Sequence, residues 1–439
     1  MAASTDAQYN AISRSVLLKL DMYIDGSDSV PLQITRDNYL ISCNLLEEAT
    51  SGDTLFSSVA ANECTFELLS EHGLFNPSNV ASEYYGKMKL GILVKPYFRA
   101  SYDDDWEQCG EYFVTEWNAD VTASIAKITA SDKLYRVMNA DDVSYRPARQ
   151  QAMSTFITQL FEPFQIVPVV DDTLVSIIPI AYAIEDNAAL FEALGQAYLL
   201  IFNVRHDGNL AIINASAQRT VRAVLSDADQ VAEIDATMSA DTLFDSAVLT
   251  YYKHSISDNV ELASKTISEK QSTYDFEWSS KHLWCITAIS VFSSTEARYV
   301  ANIVTCNNKH VEIALSSPWT DEVKDVRVEV LGQTIETESV TKGTAEDNCL
   351  KVDTVYVQTD EHASWLHDIM MQYASNELPT LKATIRGNPK FELGDKLTVQ
   401  SEHYGVDFTG VLIRQQLRYD GGLACDITLL NSRLLEVII

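Results

Sequence analysis

Only a few groups in this chain have the types and spacing that could support chemistry. His362 and His367 lie five positions apart on a segment with helical periodicity. A zinc pair on a helix takes positions i and i+4, on one face; the five-residue spacing fits a structural role instead. Asp103-Asp104-Asp105 followed by Glu107 gathers carboxylate oxygens as calcium requires. It lacks the alternation and the glycine of a calcium loop, and reads as a solvated turn. Cys43, Cys64, Cys109, Cys285, Cys306, Cys349 and Cys425 are scattered, odd in number and without CxxC spacing, the pattern of free thiols in a reducing compartment. No GxSxG elbow, Walker-type loop or GxGxxG fingerprint occurs. With 62 Asp and Glu residues, no glycosidase carboxylate pair stands out. We assign no catalytic, metal or cofactor residue, and read the chain as non-enzymatic.

The elements are more informative than the candidate groups. Between Thr380 and Arg433, Leu381, Ala383 and Ile385 alternate with Lys382, Thr384 and Arg386. Leu397 and Val399 alternate with Lys396, Thr398 and Gln400, and Leu423, Cys425, Ile427 and Leu429 with Ala424, Asp426 and Thr428. Alternation buries one strand face and wets the other. Gly387-Asn388-Pro389, Gly394-Asp395 and Asp420-Gly421-Gly422 separate the strands as turns. Similar strands are expected at Ser15–Met22, Thr35–Leu46, Cys64–Leu69, Met88–Phe98 and Tyr112–Trp117, with a turn at Asp25-Gly26.

The run Gly387-Asn388-Pro389, Glu392-Leu393-Gly394-Asp395 and Gly421-Gly422-Leu423 resembles the closing segment of tail-hub proteins of tailed bacteriophages, whose relatives occur in contractile injection systems. Upstream, Gly110-Glu111-Tyr112-Phe113-Val114-Thr115-Glu116-Trp117, then Thr129-Ala130-Ser131-Asp132, is similar to the first-domain signature of that family: Gly110, Tyr112, Val114 and Trp117, then Ala130 and Asp132. The segment from Ser272 to Asp353 has no counterpart in the resemblance.

From Asp141 the period changes. Met153, Phe156, Ile157, Leu160 and Phe161 fall at helical spacing, between Pro147 and Pro163. A second helix starts at Asp186 or Asn187 and carries Leu190, Leu194, Ala197, Tyr198 and Ile201. It leads into a hairpin turning at Asp207-Gly208. A last helix, with Asp360 as cap, aligns Trp365, Ile369 and Tyr373. Leu55–Ala61 fits helix or loop equally.

At 439 residues three or four domains are expected. The formal charge of −30 argues against a surface made for nucleic acid or anionic lipid. It suits either plain solubility or a wall past which DNA slides. Residues 1 to 13 read as a loose, polar arm, unlike a signal peptide. Leu174–Ile184, the most apolar run, is too short to span a bilayer.

The fold expected is mainly β with α+β parts. Residues 1–140 form a first tube-like antiparallel β-barrel, and 141–235 a small α/β domain. Residues 236–271 begin a second barrel, 272–355 are a β-rich insertion, and 356–439 supply a helix and the rest of the second barrel. The strand at Ala247 is expected to echo the one at Ser15. As the resemblance implies, three copies then close a pseudo-hexameric ring at the tail tip or baseplate of a virion, after synthesis in the host cytoplasm. The implied partners are the chain itself as homotrimer, the tail tube protein, distal tail or baseplate proteins, the tape-measure protein and a central spike or fibre. DNA is touched only in passing through the channel. The alternative is a carbohydrate-active or receptor-binding tail protein acting on the host surface.

Overall fold

The computed structural model describes residues 6–10, 15–24, 30–52, 54–120, 122, 124–140, 145–184, 186–227, 233–235, 244–268, 271–278, 282–292, 299–306, 309–316, 326–345, 348–376, 378–403 and 405–435. It is mainly β, as the alternation predicts. Most of the strands from the two ends of the chain belong to one 14-stranded sheet. The expected turn at Asp25-Gly26 and the change of period at Asp141 lie outside the described residues.

Strands Leu17–Met22, Leu32–Thr35, Leu40–Glu48, Glu63–Leu69, Leu93–Arg99, Glu107–Gln108, Tyr112–Asp120 and Ile125–Ser131 form the N-terminal part of this sheet. Ala223–Ser226, Glu233–Asp235, Thr380–Ile385, Lys396–Ser401, Val406–Tyr419 and Leu423–Asn431 form the C-terminal part. The two parts share a ladder: Arg414 to Tyr419 pairs antiparallel with Glu48 to Cys43. The C-terminal strand is long enough to do this because its first half serves Lys396–Ser401 and its second half serves Leu40–Glu48. A register shift between Leu412 and Arg414 marks the change of partner. Pairing across the two parts leaves neither of these strands as an open edge there.

The strand at Ala247 corrects one expectation. Ser246–Ile256 pairs with Val326–Lys342 and Cys349–Thr354 in a separate five-stranded sheet, not with the strands after Thr380. The missing strands come from 223–235: Ala223–Ser226 runs parallel to Lys396–Ser401, and Glu233–Asp235 pairs with Thr380–Ile385. Element order alone could not separate these strands, since each shows the same alternation. Residues between Ile267 and Val330 have a small core of their own, built on Tyr274, Phe276, Val311, Ile313 and Val328.

Between the two sheet parts sits the α/β unit. Met153–Phe161 and Asn187–Tyr198 are helices, and Leu200–Val204 with Leu210–Asn214 is the hairpin. Asp186 caps the second helix by accepting from Ala188 N and Ala189 N at 2.8 and 3.2 Å. Three further points differ from the sequence reading. Lys133–Met138 is a helix inside the otherwise all-β N-terminal region. The last helix, Asp360–Ala374, is capped by Thr359, whose hydroxyl accepts from His362 N, and not by Asp360. The arm is anchored, with Asp6–Asn10 helical and Tyr9 fully buried in the main core.

Candidate functional site

The joining ladder has two faces, and they differ in kind. Side chains alternate consistently across seven neighbouring strands: Thr380–Ile385, Leu423–Asn431, Val406–Tyr419, Leu40–Glu48, Glu63–Leu69, Ile125–Ser131 and Tyr112–Asp120. On the core side lie Leu381, Ile427, Leu417, Leu45, Phe66 and Ile128, all buried. The other side is mostly polar, interrupted by Leu46 between Gln416 and Glu63 and by Leu69 and Ile125 at one end. Over the C-terminal strands it carries Lys382, Thr384, Arg414, Gln416, Arg418, Asp426 and Thr428. Over the N-terminal strands it carries Ser42, Asn44, Glu48, Glu63, Thr65, Glu67, Glu116, Asn118 and Asp120, with Lys127 and Thr129. Arg418 donates to Asp426 at 2.8 Å, and Arg414 pairs with Glu48 across the seam at 3.4 Å. This wall is basic toward one end and acidic toward the other.

Directly beneath the seam is a buried polar junction. Glu47 and Gln415 are cross-strand partners facing the core, 1% and 0% exposed. A carboxylate in such a place needs full compensation. Gln415 Nε2 donates to Glu47 Oε2 at 2.7 Å and to Phe391 O at 2.6 Å. His206, in the hairpin turn of the α/β unit, places Nε2 2.8 Å from Glu47 Oε1. Burial alone would lower the His206 pKa, but Glu47 and then Glu392 outweigh it and push it up to about 9. His206 is therefore a cation at neutral pH, clamped between two carboxylates.

The same turn is tied to both sheet parts. His206 N donates to Glu392 Oε1 at 3.1 Å. His206 O accepts from Gly110 N at 3.1 Å and from Gln108 Nε2 at 2.9 Å. Glu392 N donates to Asp395 Oδ2 at 2.9 Å, and Arg222 forms an ion pair with the same carboxylate. Burial nonetheless raises the Asp395 pKa, outweighing Arg222. Lys390 Nζ reaches Glu107 Oε1 at 3.3 Å, and Cys109 Sγ lies 3.8 Å from Pro389 O.

The residues singled out from sequence fall into three places. Gly110, Asn388, Pro389, Gly394 and Asp395 are brought together at the junction. Gly394 has φ +89°, and a Cβ there would stand 2.9 Å from Ile213 Cγ2 on the hairpin; glycine lets the two chains approach. Asn388 Nδ2 donates to Asp6 Oδ1 at 3.1 Å, holding the N-terminal arm. Tyr112, Val114, Trp117, Ala130 and Asp132 belong to the N-terminal sheet. Val114 pairs with Ala130 in the core, and Trp117 Nε1 donates to Phe75 O at 2.9 Å. Asp132 caps the Lys133–Met138 helix through Leu134 N at 2.8 Å and accepts from Asn62 N at 3.1 Å. Burial outweighs these three backbone donors, including the longer one from Tyr135, and raises its pKa to about 7. Gly421 and Gly422 form the turn after Tyr419, where Gly421 packs against Arg36, and Leu423 opens the next strand, packed on Gly387.

Glu47, His206 and Gln415 were missed. The signal was present for Glu47: it continues the Cys43, Leu45 alternation onto the core face, where a carboxylate is out of place without a partner. Nothing local marked His206 as that partner. His362 and His367 are structural, their Nε2 atoms donating to Ala197 O and Ala247 O at 2.7 and 3.2 Å. Among the described residues, no group of three or more His, Cys, Asp or Glu side chains could hold a metal, and no helix is long and apolar enough to cross a membrane. Asp104 accepts from Gln8 Nε2 at 3.2 Å.

The fold of this chain is similar to those of solved tail proteins. The 43 kDa tail protein of prophage MuSo2 from Shewanella oneidensis superposes with a TM-score of 0.55 at 11% identity, over 95% of this chain and 99% of that one. The tail protein from Neisseria meningitidis MC58 gives 0.54 at 9% identity, over 96% and 98%. No family model and no curated protein sequence matches the chain. The fold is thus shared with tail proteins over nearly the full length, at identities that leave function to be argued from the residues themselves.

Proposed function

We propose that this protein is a structural hub of a phage tail tip or baseplate, with no enzymatic activity. Three copies close a ring in which N-terminal and C-terminal sheet parts alternate, giving six similar sectors toward a sixfold tail tube and threefold symmetry toward a central spike or fibre. The observation that carries this reading is the largely polar seven-strand wall, which continues across the seam at the Arg414–Glu48 ion pair. A polar face built jointly by both ends of the chain is expected where that face is used. Facing a channel, its threonines, asparagines and acidic N-terminal side give passing DNA few places to stick, while Arg414 and Arg418 at the basic end are tied up by Glu48 and Asp426. The expected partners are further copies of the chain, the tail tube protein, the tape-measure protein and other distal tail or baseplate proteins, and the expected location is the virion.

Mass photometry of the chain with tail tube protein tests the symmetry, with complexes holding three copies expected. A particle map with one or two copies, or with the polar wall turned away from the lumen, sinks the reading.

A further inference from the structure

A cleft of about 350 Å³ opens away from the junction, between residues 173–179, the end of the Leu210–Asn214 strand and the first turns of the Asp360–Ala374 helix. Its aromatic wall is fixed. His362 packs between Tyr198 and Trp365 with its ring tilted to both, centroids at 4.7 and 5.6 Å, and its Nε2 is pinned to Ala197 O. The inner end is closed by Gln358, whose amide accepts from Ile180 N at 2.9 Å and donates to Ile180 O at 2.8 Å, as a neighbouring strand would. The lip is apolar and bare: Val175 is 82% and Ile177 56% exposed, and Val167 and Val169 on the same segment are 80% and 49% exposed. Branched aliphatics this open, beside a shaped cleft, mark a contact surface.

Charge identifies the occupant. Glu361 is the one charged residue of the lining, which has no lysine or arginine. Exposed Asp172 adjoins the lip, and the whole chain carries −30. A partner segment carrying lysine or arginine gains from this acidic rim.

We propose that this cleft docks an extended segment of a different protein, with branched aliphatic side chains set against Val175, Ile177 and Trp365 and a lysine or arginine beside Glu361 and Asp172. The inference stands independently of the ring. Its test is fluorescence anisotropy on the full chain with two labelled synthetic peptides of alternating valine and leucine, one flanked by lysines and one by glutamates. The lysine-flanked peptide should bind at least about tenfold tighter. Ile177→Asp, on an exposed side chain that leaves the core intact, should weaken it about tenfold, and Asp172→Lys with Glu361→Lys should reverse the preference. Equal binding of both peptides, no binding of either, or indifference to Ile177→Asp overturns the proposal. So does self-association of the chain that Ile177→Asp abolishes, which would make a second copy the occupant.

Discussion

Glu47 Oε1 and His206 Nε2 lie 2.8 Å apart beneath the seam where the two ends of the chain become one sheet. Through Glu47 the pair touches the joining ladder, through His206 the α/β unit, and through Glu392 the turn before the last strands. One ion pair thus sits where three separately coded parts of the chain must agree.

Removing one member of this pair should be costly. His206→Ala leaves the Glu47 carboxylate buried and is expected to destabilise by about 3–5 kcal/mol in chemical denaturation, while Glu47→Leu with His206→Leu should cost much less than the two single changes together.

The pair also predicts a pH dependence. The His206 pKa is raised to about 9 from an ordinary 6.5. Its stabilisation is therefore complete below about pH 6.5 and is lost as pH rises through about 9, a change on the order of 3 kcal/mol. Urea midpoints measured from pH 6 to 10 should fall, and His206→Gln should flatten that fall. An unchanged slope in the variant would count against the charged histidine.

Asp132 predicts a second window of the same sign at lower pH. Its folded pKa of about 7 lies above the ordinary 3.8, so the group favours the folded state at low pH and this contribution declines from about pH 4 to 7. Asp132→Asn keeps a cap for Leu134 N and should remove the decline at little cost. Asp132→Ala loses the cap and should destabilise by about 1–2 kcal/mol.

At Gly394 backbone and packing act together. Gly394→Ala meets both a φ of +89° and the Ile213 side chain at 2.9 Å, and is expected to destabilise by about 2–4 kcal/mol. Adding Ile213→Ala should relieve the clash but not the backbone strain, so a double-mutant cycle should show partial, not full, compensation.

Thiol labelling offers a rapid check of the fold. Cys43, Cys64, Cys109 and Cys425 are buried, Cys285 and Cys349 half-buried and Cys306 exposed. A thiol-disulfide reagent should titrate Cys306 first and all seven only after unfolding, and Cys306→Ser should abolish the fast phase. Early reaction of Cys43 or Cys64 would contradict the packed sheet.

By itself the sequence determined the β character and the helices and hairpin of the α/β unit. These rest on local rules: period two in Leu381–Ile385 and Leu423–Leu429, period 3.6 in Met153–Phe161, and a glycine where Gly394 or Gly208 must take positive φ. It also carried Ala130, Asp132, Gly394 and Asp395 as motif residues, but neither the helix that Asp132 caps nor the approach of Gly394 to Ile213 was readable from them. Partner choice between strands was not readable, because alternation states which face is buried and not which edge is shared. So Ser246–Ile256 could be assigned to the wrong sheet, and the Leu40–Glu48 to Val406–Tyr419 ladder could not be seen. Only the tertiary structure decided that Glu47, His206 and Gln415, from distant parts of the chain, share one buried site, since a buried charge is set by what folding brings within 3 Å of it and no local pattern encodes that.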